Sequence, residues 1–379
     1  MEIKTKSKLT YLSYLNPDYI YLPISGEIEK KKVYKDDLIC MVNNKPSYSS
    51  VSGNIIGLTE ETYIKSKLTE CVIIKNDYME KRRKNIPGVK YINEYEKSQL
   101  LDVIKSLNII DDNMNKKFTR IVINGIDKDQ YEKTRSHIII NYTDKILETI
   151  DALNTIFKVK ETIFAINNRE SNDVIHLLEN IGTYPNIKLK LLSNSYSIGY
   201  KAILLNNLLN KQKIDEGFLY LTIEEVYDIY RSLKKNVPID SIFITLGGNA
   251  FDKTYIVETK VGVLVRDLIN EFFHINLKKY KIIMNGLISG VECVNEYAII
   301  TKGIRSVFIN TVDNSCEIKC INCGLCNLKC PVGLNPKYIM EHKKADKSRC
   351  IHCGLCTYIC PAKINFKKYL GDSDEWCFC

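Results

Sequence analysis

Cys320-Ile-Asn-Cys-Gly-Leu-Cys-Asn-Leu-Lys-Cys-Pro331 and Cys350-Ile-His-Cys-Gly-Leu-Cys-Thr-Tyr-Ile-Cys-Pro361 are two copies of one pattern, C-x2-C-x2-C-x3-C-P. Three cysteines at this spacing wrap three corners of a cubane iron–sulfur cluster, and the fourth reaches a neighbouring cluster. Gly324 and Gly354 let each loop approach the inorganic core closely. The repeat therefore predicts a C-terminal ferredoxin-like domain with two [4Fe–4S] clusters.

The crossed pattern assigns four cysteines to each cluster. Cluster 1 takes Cys320, Cys323, Cys326 and Cys360. Cluster 2 takes Cys350, Cys353, Cys356 and Cys330. The alternative is two structural zinc sites, but zinc modules pair two C-x2-C knuckles and do not use a run of three cysteines. The expected chemistry is one-electron transfer, with no acid or base residue required.

Other groups near the repeat carry weaker signals. Cys316 precedes the first copy, and Cys377 and Cys379 end the printed sequence. We expect spectator thiols there, with a redox or extra-ligand role as the alternative. His352 lies inside a cluster loop, and we expect a neighbour or bystander because the eight thiolates already complete both ligand sets.

The length of 379 residues predicts about two to three domains. Eight of the 14 cysteines fall between Cys320 and Cys360, which favours metal binding over a disulfide scaffold. The sequence contains no apolar run of the length that a spanning helix needs, and its beginning lacks the apolar core of a signal peptide. We therefore expect a cytoplasmic protein that could meet the inner face of the cell membrane only through partners.

The formal charge is +9. The lysines are scattered and form no arginine-rich stripe or recognisable binding motif, so we expect no nucleic-acid partner. Residues 314–379 hold ten Lys/Arg against six Asp/Glu. Two clusters at a charge of about −2 each, thiolates included, would offset that excess. The run Lys81-Arg82-Arg83-Lys84 is interpreted as a solvated connector and not as a binding motif.

The pattern along the chain predicts an α+β multidomain protein. Short apolar stretches between turn residues predict a small barrel-like β module, then alternating strands and helices predict a parallel α/β layer, and a strand-rich stretch with one helix near Leu264 to Phe273 predicts a β-grasp-like unit. The predicted boundaries are 1–80 for the β module, 81–117 for a connector, 118–246 for the α/β domain, 247–312 for the β-grasp-like domain and 313–379 for the cluster domain.

Individual elements are predicted from the same pattern. The predicted strands are Tyr19 to Ile24, Leu38 to Val42, Ile55 to Leu58, Cys71 to Ile74, Ile121 to Ile123, Thr162 to Ile166, Ile187 to Leu192 and Ser241 to Leu246. The predicted helices are 143–157, a short one capped by Ser171, and one that a capping box of Thr222 and Glu225 opens and that runs through Leu233.

This layout resembles the C subunit of the Rnf-type ferredoxin:NAD oxidoreductase complex and its soluble relatives, including the proline-reductase-associated electron-transfer protein. The resemblance covers nearly the whole chain. It implies a barrel-sandwich hybrid, a domain like the flavoprotein subunit of respiratory complex I, a β-grasp domain and a dicluster domain, in that order. The segments that carry it are Ser52 to Ile55 (family S-G-T-V), Asn124 to Tyr131 (N-G-A-E-C-E-P-Y), Tyr196 to Lys201 (Y-P-x-G-G-E-K) and Thr301 to Gly303 (T-K-G).

One departure concerns the flavin and dinucleotide site that the resemblance implies. The family carries a glycine-rich loop whose backbone N–H groups can approach phosphate. Asp111 to Lys117 stands in its place without a glycine. Asp127 and Asp129 are what remains of the acidic segment for FMN or NAD binding, and Lys128 replaces the family cysteine. A polar turn at a strand end is the alternative interpretation of the two aspartates.

Three functions follow from these residues. The first is an electron-transfer protein that relays electrons between a ferredoxin-like or flavoprotein donor and a partner reductase, as a component of an oxidoreductase system and not a stand-alone catalyst. The second is an FMN-dependent, NADH-oxidising subunit, which the missing glycine loop argues against. The third is a cluster-based sensor or scaffold. Lys45, in the turn Asn43-Asn44-Lys45, is interpreted as a solvated hairpin residue and not as a carrier lysine.

Overall fold

The fold is taken from a computed structural model of the chain. It describes residues 9–371 except for 44, 65–66, 84–87, 108, 110–116, 169–170, 194, 210–213, 215–216, 313–315 and 343–344. The replaced segment Asp111 to Lys117, apart from Lys117, and the cysteines Cys377 and Cys379 therefore lie outside the described residues.

The first module is built from antiparallel strands. A four-stranded sheet has the order β2-β7-β6-β3, and β4 pairs with β5 in a separate hairpin. In β2 every second residue is buried, because successive side chains of a strand point to opposite faces. The predicted apolar stretches are confirmed as parts of β2, β4, β6 and β7. The strands are β2 Tyr19–Pro23, β3 Lys32–Val33, β4 Leu38–Val42, β5 Lys45–Tyr48, β6 Gly53–Ile64 and β7 Lys67–Asn76.

The connector contains short helices and local ion pairs. It holds a 3-10 turn at Ile92–Glu94 and the helix α1 at Lys97–Ser106. Arg82 pairs with Asp36, and Arg83 pairs with Asp37 at 3.0 Å. The basic run predicted as a solvated loop is thus tied, through these two arginines, to the β module.

A four-stranded parallel sheet forms the α/β layer. Its order is β10-β9-β8-β11, and each neighbouring pair is parallel. The capping box predicted at Thr222 and Glu225 is present. The helix predicted over 143–157 begins earlier, at Thr134, because it continues through a kink at Tyr142. The elements are β8 Arg120–Asn124, α2 Thr134–Phe157, β9 Glu161–Asn167, α3 Ser171–Ile181, β10 Ile187–Leu192, α4 Lys201–Leu208, β11 Phe218–Thr222 and α5 Ile223–Lys235.

The next strand, β12, belongs to a different sheet from the one we predicted. Ser241–Gly247 forms as a strand, but it pairs with β13 and β18 and not with the α/β sheet. All seven of its residues are buried. A strand that is buried on both faces has the same continuous apolar sequence at the centre of any sheet. Its partner strands could therefore not be deduced from the pattern.

The sheet that contains β12 has six strands in the order β1-β13-β12-β18-β15-β16. Its first strand comes from the chain's beginning, where Thr10–Tyr14 runs parallel to β13 and leaves the predicted 1–80 module. The predicted helix near Leu264 to Phe273 is confirmed. The elements are β1 Thr10–Tyr14, β13 Tyr255–Lys260, β14 Val263–Leu264, α6 Val265–Phe272, a 3-10 turn Leu277–Lys279, β15 Tyr280–Met284, β16 Val291–Glu292, β17 Ile299–Ile300 and β18 Ser306–Thr311.

The cysteine-rich region folds as two similar halves. Its helices are α7 Leu325–Leu328, α8 Pro336–Glu341, α9 Leu355–Tyr358 and α10 Lys367–Leu370. They enclose a small core to which both halves contribute buried residues: Leu334, Ile339, Ala362, Ile364, Phe366 and Leu370. Among the described residues of the whole chain, no helix has the length and apolar character needed to cross a bilayer.

Candidate metal centre

Both cysteine loops have the same backbone path. Asn322 and His352, at equivalent positions, have φ of 58° and 50°, and Gly324 and Gly354 have φ of 73° and 74°. Left-handed backbone is easiest for glycine and tolerable for Asn and His. It curls each loop into a one-turn helix that begins directly after the glycine and carries the third cysteine as its second residue.

The fourth cysteine of the first copy faces the second loop. One cavity is lined by Cys330 together with Cys350, Cys353 and Cys356. This is the donor set predicted for cluster 2. Four thiols around one cavity are suited to iron, because thiolates are the ligands of [4Fe–4S] clusters.

The pKa values of Cys350, Cys353 and Cys356 are raised by burial and by the other thiols around the same cavity. Burial, and after it the nearby thiols, raise the pKa of Cys353 to about 11 and that of Cys356 to about 12. Cys330 contributes to both shifts, and it also raises the pKa of Cys350. Thiols this hard to ionise release their protons when a metal takes them as thiolates, so cluster assembly is coupled to proton release.

The converse crossing involves Cys326 and Cys360. Burial raises the pKa of Cys326, and Cys360 is the thiol whose charge adds to that effect. Cys326 belongs to the buried core of this region, and both Cys320 and Cys360 pack against that core. The fourth cysteine of the second copy therefore lies beside the first loop, as the prediction for cluster 1 requires.

The loop that carries Cys353 packs against the body of the protein. A Cβ atom placed on Gly354 would lie 2.2 Å from the carbonyl oxygen of Ile288, so only glycine fits there. The Tyr196 hydroxyl donates a hydrogen bond to the carbonyl of Cys353. Lys367 lines the cluster 2 cavity and donates to the carbonyl oxygens of Ser289, at 3.3 Å, and Gly290.

The equivalent loop of the first copy is open. No described residue lies within 4 Å of a Cβ atom placed on Gly324, and Cys323 is exposed where its counterpart Cys353 is buried. Ile321 and Leu328, beside it, are 57% and 75% exposed. The two halves thus share a backbone path but differ in surroundings: one faces the protein and the other faces solvent.

The two aspartates predicted as a flavin-site remnant are held by backbone groups. Asp127 Oδ1 accepts from the Arg135 N–H at 3.0 Å. Asp129 is fully buried and accepts from the N–H groups of Tyr131, at 3.1 Å, and Ile288, at 2.7 Å. These contacts agree with the polar-turn alternative, and the second one joins the α/β sheet to the loop that meets Gly354.

The described residues around that strand end do not fit FMN. In the order β10-β9-β8-β11, the crevice where a nucleotide binds opens beside the end of β8. Here Asn124 Nδ2 donates to the Gly199 carbonyl and the Tyr220 hydroxyl, each at 2.8 Å, and closes that gap. A Cβ on Gly199 would lie 2.5 Å from the Asp127 carbonyl, which shows how tightly the two segments meet.

The cavity that borders this strand end is acidic. Asp127, Asp129 and Glu132 line it, beside Lys133. Burial raises the pKa of Asp127 to about 6 and that of Glu132 to about 7. A phosphate placed among these carboxyl groups would meet repulsion in a poorly solvated site.

Several residues of this centre were not predicted from sequence. Lys367 follows Cys360 by seven positions, as Lys337 follows Cys330, so the repeat itself contained a signal for it. Tyr196 falls in a predicted family segment, but nothing in the sequence indicates its contact with Cys353. His352 lines the cluster 2 cavity, as a neighbour would, and Cys316 is exposed. The hairpin at Asn43 is present, but Lys45 lies in strand β5, paired with Val42, and not in the turn as predicted.

Comparison with protein families identifies the C-terminal region. Residues 314–361 match the family model of the 4Fe-4S dicluster domain. This match spans both cysteine copies and confirms the predicted cofactors, two [4Fe–4S] clusters in a region with eight repeat cysteines.

Relatives with curated names match more of the chain. It is 26% identical over 238 residues to the C subunit of the ion-translocating oxidoreductase complex of Vibrio cholerae, covering 60% of this chain and 31% of that protein. It is 21% identical over 321 residues to the C subunit of the Na(+)-translocating ferredoxin:NAD(+) oxidoreductase complex of Acetobacterium woodii, covering 79% and 72%. The C subunit of the proton-translocating ferredoxin:NAD(+) oxidoreductase complex of Clostridium ljungdahlii is 21% identical over 360 residues, covering 85% and 78%.

These matches show distant homology to the C subunit of Rnf complexes over most of the chain, which confirms the predicted resemblance. The chain spans about a third of the length of the Vibrio relative. Among solved structures, a chain of an NAD+-reducing [NiFe]-hydrogenase aligns with a TM-score of 0.44 and 11% identity, covering 58% of this chain and 48% of that one. A likeness at that TM-score carries no weight for the function.

Proposed function

We propose that this chain is an electron-transfer subunit that passes single electrons through two [4Fe–4S] clusters. In this proposal Cys320, Cys323, Cys326 and Cys360 hold cluster 1, and Cys350, Cys353, Cys356 and Cys330 hold cluster 2. The observation that carries it is the single cavity lined by Cys330 and the three cysteines of the second copy. That arrangement binds both halves into one unit and brings two redox centres close together.

The different surroundings of the two loops favour cluster 1 as the centre that exchanges electrons with a partner protein. The open loop around Cys323 and Gly324 makes cluster 1 the point of exchange with a protein partner. The loop around Cys353 and Gly354 turns cluster 2 toward the α/β and β-grasp-like regions. Because electron transfer falls off with distance, a partner that docks on the open side reaches cluster 1 first.

The names of the relatives suggest what the partners are. They describe the C subunits of ferredoxin:NAD(+) oxidoreductase complexes that translocate ions. We infer that this chain is likewise one subunit of a larger assembly, with a ferredoxin-like or flavoprotein donor and a partner reductase. It would work in the cytoplasm, at the inner face of the membrane only through other subunits.

The second function that the homology suggests is a flavin-dependent, NADH-oxidising subunit. The described residues oppose it, because the crevice beside β8 is closed by Asn124 and the adjacent cavity is lined by carboxyl groups. We therefore expect less than stoichiometric FMN and little NADH oxidation by the purified chain.

One preparation tests the proposal. The full chain is purified anaerobically, and iron, sulfide, zinc and flavin are measured in the same sample. We expect about eight iron atoms per chain, since two clusters hold four each, and reversible one-electron reduction of both clusters. A chain rich in zinc, or clusters that dithionite does not reduce, would overturn the proposal. Flavin near one per chain would favour the second function.

A matched pair of variants tests the direction of the relay. Leu328→Glu places a carboxylate on the open side, beside cluster 1. Tyr358→Glu does the same at the equivalent position of the second copy, which is also exposed. With an acidic one-electron donor such as a reduced ferredoxin, Leu328→Glu should slow reduction of the chain several-fold more than Tyr358→Glu. Equal slowing would show that donors do not prefer the open side.

A further inference from the structure

Lys367 is a lysine with an unusual position in the cluster domain. It begins the one-turn helix Lys367–Leu370, and its side chain lines the cavity that the four cysteines of cluster 2 surround. Its ammonium donates hydrogen bonds to the carbonyl oxygens of Ser289 and Gly290, on the loop that packs against Gly354. The charge is therefore fixed in place between the cluster site and the body of the protein.

Three negatively charged groups act on this ammonium. They are the Cys356 thiolate, Glu292 and Asp129, and each of them attracts it. Burial has the larger, opposite effect and lowers the pKa of Lys367 to about 8. Asp129 also accepts hydrogen bonds from the Tyr131 and Ile288 backbones, and Glu292 lies 3.5 Å from Lys281. Both carboxylates thus have other partners as well. Of the groups named here, the cluster ligand Cys356 is the one that would carry more negative charge after reduction.

The equivalent residue of the first copy is arranged differently. Lys337 stands at the equivalent position, seven residues after Cys330, and its backbone N–H donates a hydrogen bond to the Cys326 sulfur. Its ammonium, however, is partly exposed and lies 3.8 Å from Glu341 of its own helix. Solvent and the carboxylate both weaken its field at cluster 1.

Lys367 is partly buried. Removing a lysine ammonium from water costs free energy, and an apolar side chain of the same length would avoid that cost. Reduction adds one electron to a site that already carries about −2 with its thiolates. In poorly solvated surroundings that added charge is expensive, and a fixed cation offsets it. The cost of partly burying Lys367 is thus offset when cluster 2 is reduced.

We propose that Lys367 is a positioning residue whose fixed positive charge raises the reduction potential of cluster 2, whereas Lys337 does little for cluster 1. The inference rests on the ligand assignment of the proposed function. It concerns one electron shared between the clusters: reduced cluster 1 and oxidised cluster 2 exchange it to give oxidised cluster 1 and reduced cluster 2. Lys367 shifts that balance toward cluster 2, so the electron rests on the inner centre.

The test compares Lys367→Gln with Lys337→Gln in the full chain, reconstituted anaerobically and poised with dithionite and mediators. Low-temperature EPR gives the midpoint potential of each cluster, and Cys353→Ser identifies the cluster 2 signal. We expect Lys367→Gln to reduce the share of the electron on cluster 2 about tenfold, which for one electron corresponds to about 59 mV. Lys337→Gln should shift cluster 1 much less.

Two further variants separate charge from packing. Lys367→Arg keeps the charge and should restore the wild-type potential, while Lys367→Met, a second neutral side chain, should reproduce the shift of Lys367→Gln. An unchanged cluster 2 potential in a neutral variant that retains about eight irons would overturn this inference alone. So would a shift in Lys367→Arg equal to that in Lys367→Gln. A chain without two reducible clusters would instead overturn the proposed function.

Discussion

Asp129 Oδ2 accepts a hydrogen bond of 2.7 Å from the backbone N–H of Ile288. The next atoms along that loop include the Ile288 carbonyl, which lies against Gly354. One buried carboxylate at the end of a parallel strand thus holds the surface on which the cluster 2 loop rests. The sequence pattern suggested cofactor binding for this aspartate, and the contact gives it a mechanical role beside a different cofactor.

Replacing Asp129 should loosen the cluster 2 loop. Asp129→Ala leaves the Ile288 and Tyr131 N–H groups without their acceptor, at a cost of about 1–3 kcal/mol for a buried donor. We expect faster loss of iron from cluster 2 to a chelator, followed by its EPR signal. Asp127→Ala is the matched control, because its contacts are with Arg135 and Ser136 and not with the loop. Equal iron loss in the two variants would contradict the mechanical role.

The crossing of ligands is tested with four single variants. Cys330→Ser should perturb the same cluster as Cys353→Ser, since both side chains line one cavity. Cys360→Ser should perturb the same cluster as Cys323→Ser. Anaerobic EPR of the reduced proteins distinguishes the two signals. If Cys330→Ser instead damages the signal lost in Cys323→Ser, each cysteine run binds its own cluster.

The two loop glycines give a comparison in which only the surroundings differ. Gly324→Ala and Gly354→Ala both place alanine at positive φ, which costs about 1 kcal/mol in each. Only Gly354→Ala also meets the Ile288 carbonyl, which adds about 1–3 kcal/mol of overpacking. Thermal unfolding of the reconstituted proteins should therefore show a larger loss for Gly354→Ala. A loss of the same size in Gly324→Ala would mean that the packing contact is unimportant.

Glu132 should make stability depend on pH. Burial, followed by the neighbouring Asp127 and Asp129, raises its pKa from 4.5 to about 7. Between these two values the folded protein binds more protons than the unfolded chain, so stability falls as pH rises through this window. Glu132→Gln should remove that decline and stabilise the protein at pH 8, by an amount on the order of 1 kcal/mol.

Glu224→Gln is the control, because the pKa of Glu224 is lowered and the substitution should therefore destabilise the protein. Burial opposes its ionisation, but Arg135 and Arg305 lower its pKa to about 2. Arg135 lies 3.0 Å and Arg305 3.1 Å from its Oε1. At pH 8 this variant should be destabilised by about 3–5 kcal/mol, the usual cost of breaking a buried ion pair. Urea denaturation at pH 5 and pH 8 measures both variants, and a stabilised Glu224→Gln would contradict the assignment.

Local sequence signals predicted most individual elements. Apolar patterns with turn residues at their ends located β2, β4, β6 and β7 of the first module and β8, β9 and β10 of the parallel sheet, but not β3, β5 or β11. The Thr222 capping box marked the start of α5 because its side-chain contacts involve residues only three positions apart. The cysteine spacing predicted both the domain and its clusters, since that motif carries its geometry within twelve positions of sequence.

The sequence did not predict which strands pair over long distances. Thr10–Tyr14 lies parallel to Tyr255–Lys260, although the β module, the connector and the α/β layer all lie between them in the chain. Ser241–Gly247 is buried on both sides, so its pattern does not distinguish one sheet from another. The contact of Asp129 with Ile288 also depends on that tertiary arrangement, which explains why its role could not be deduced from the acidic segment alone.

The contrast between the two cysteine loops has a consequence for how the two clusters resist oxidation in air. Dioxygen and peroxide reach a cluster through solvent. In the part of the chain that the structure describes, the loop at Gly324 is open whereas the one at Gly354 is covered. Oxidative damage would therefore begin at cluster 1, while the covered cluster survives longer. Ageing in air would then leave a chain that still holds its inner centre but has lost the outer one, and with it the contact to its partners.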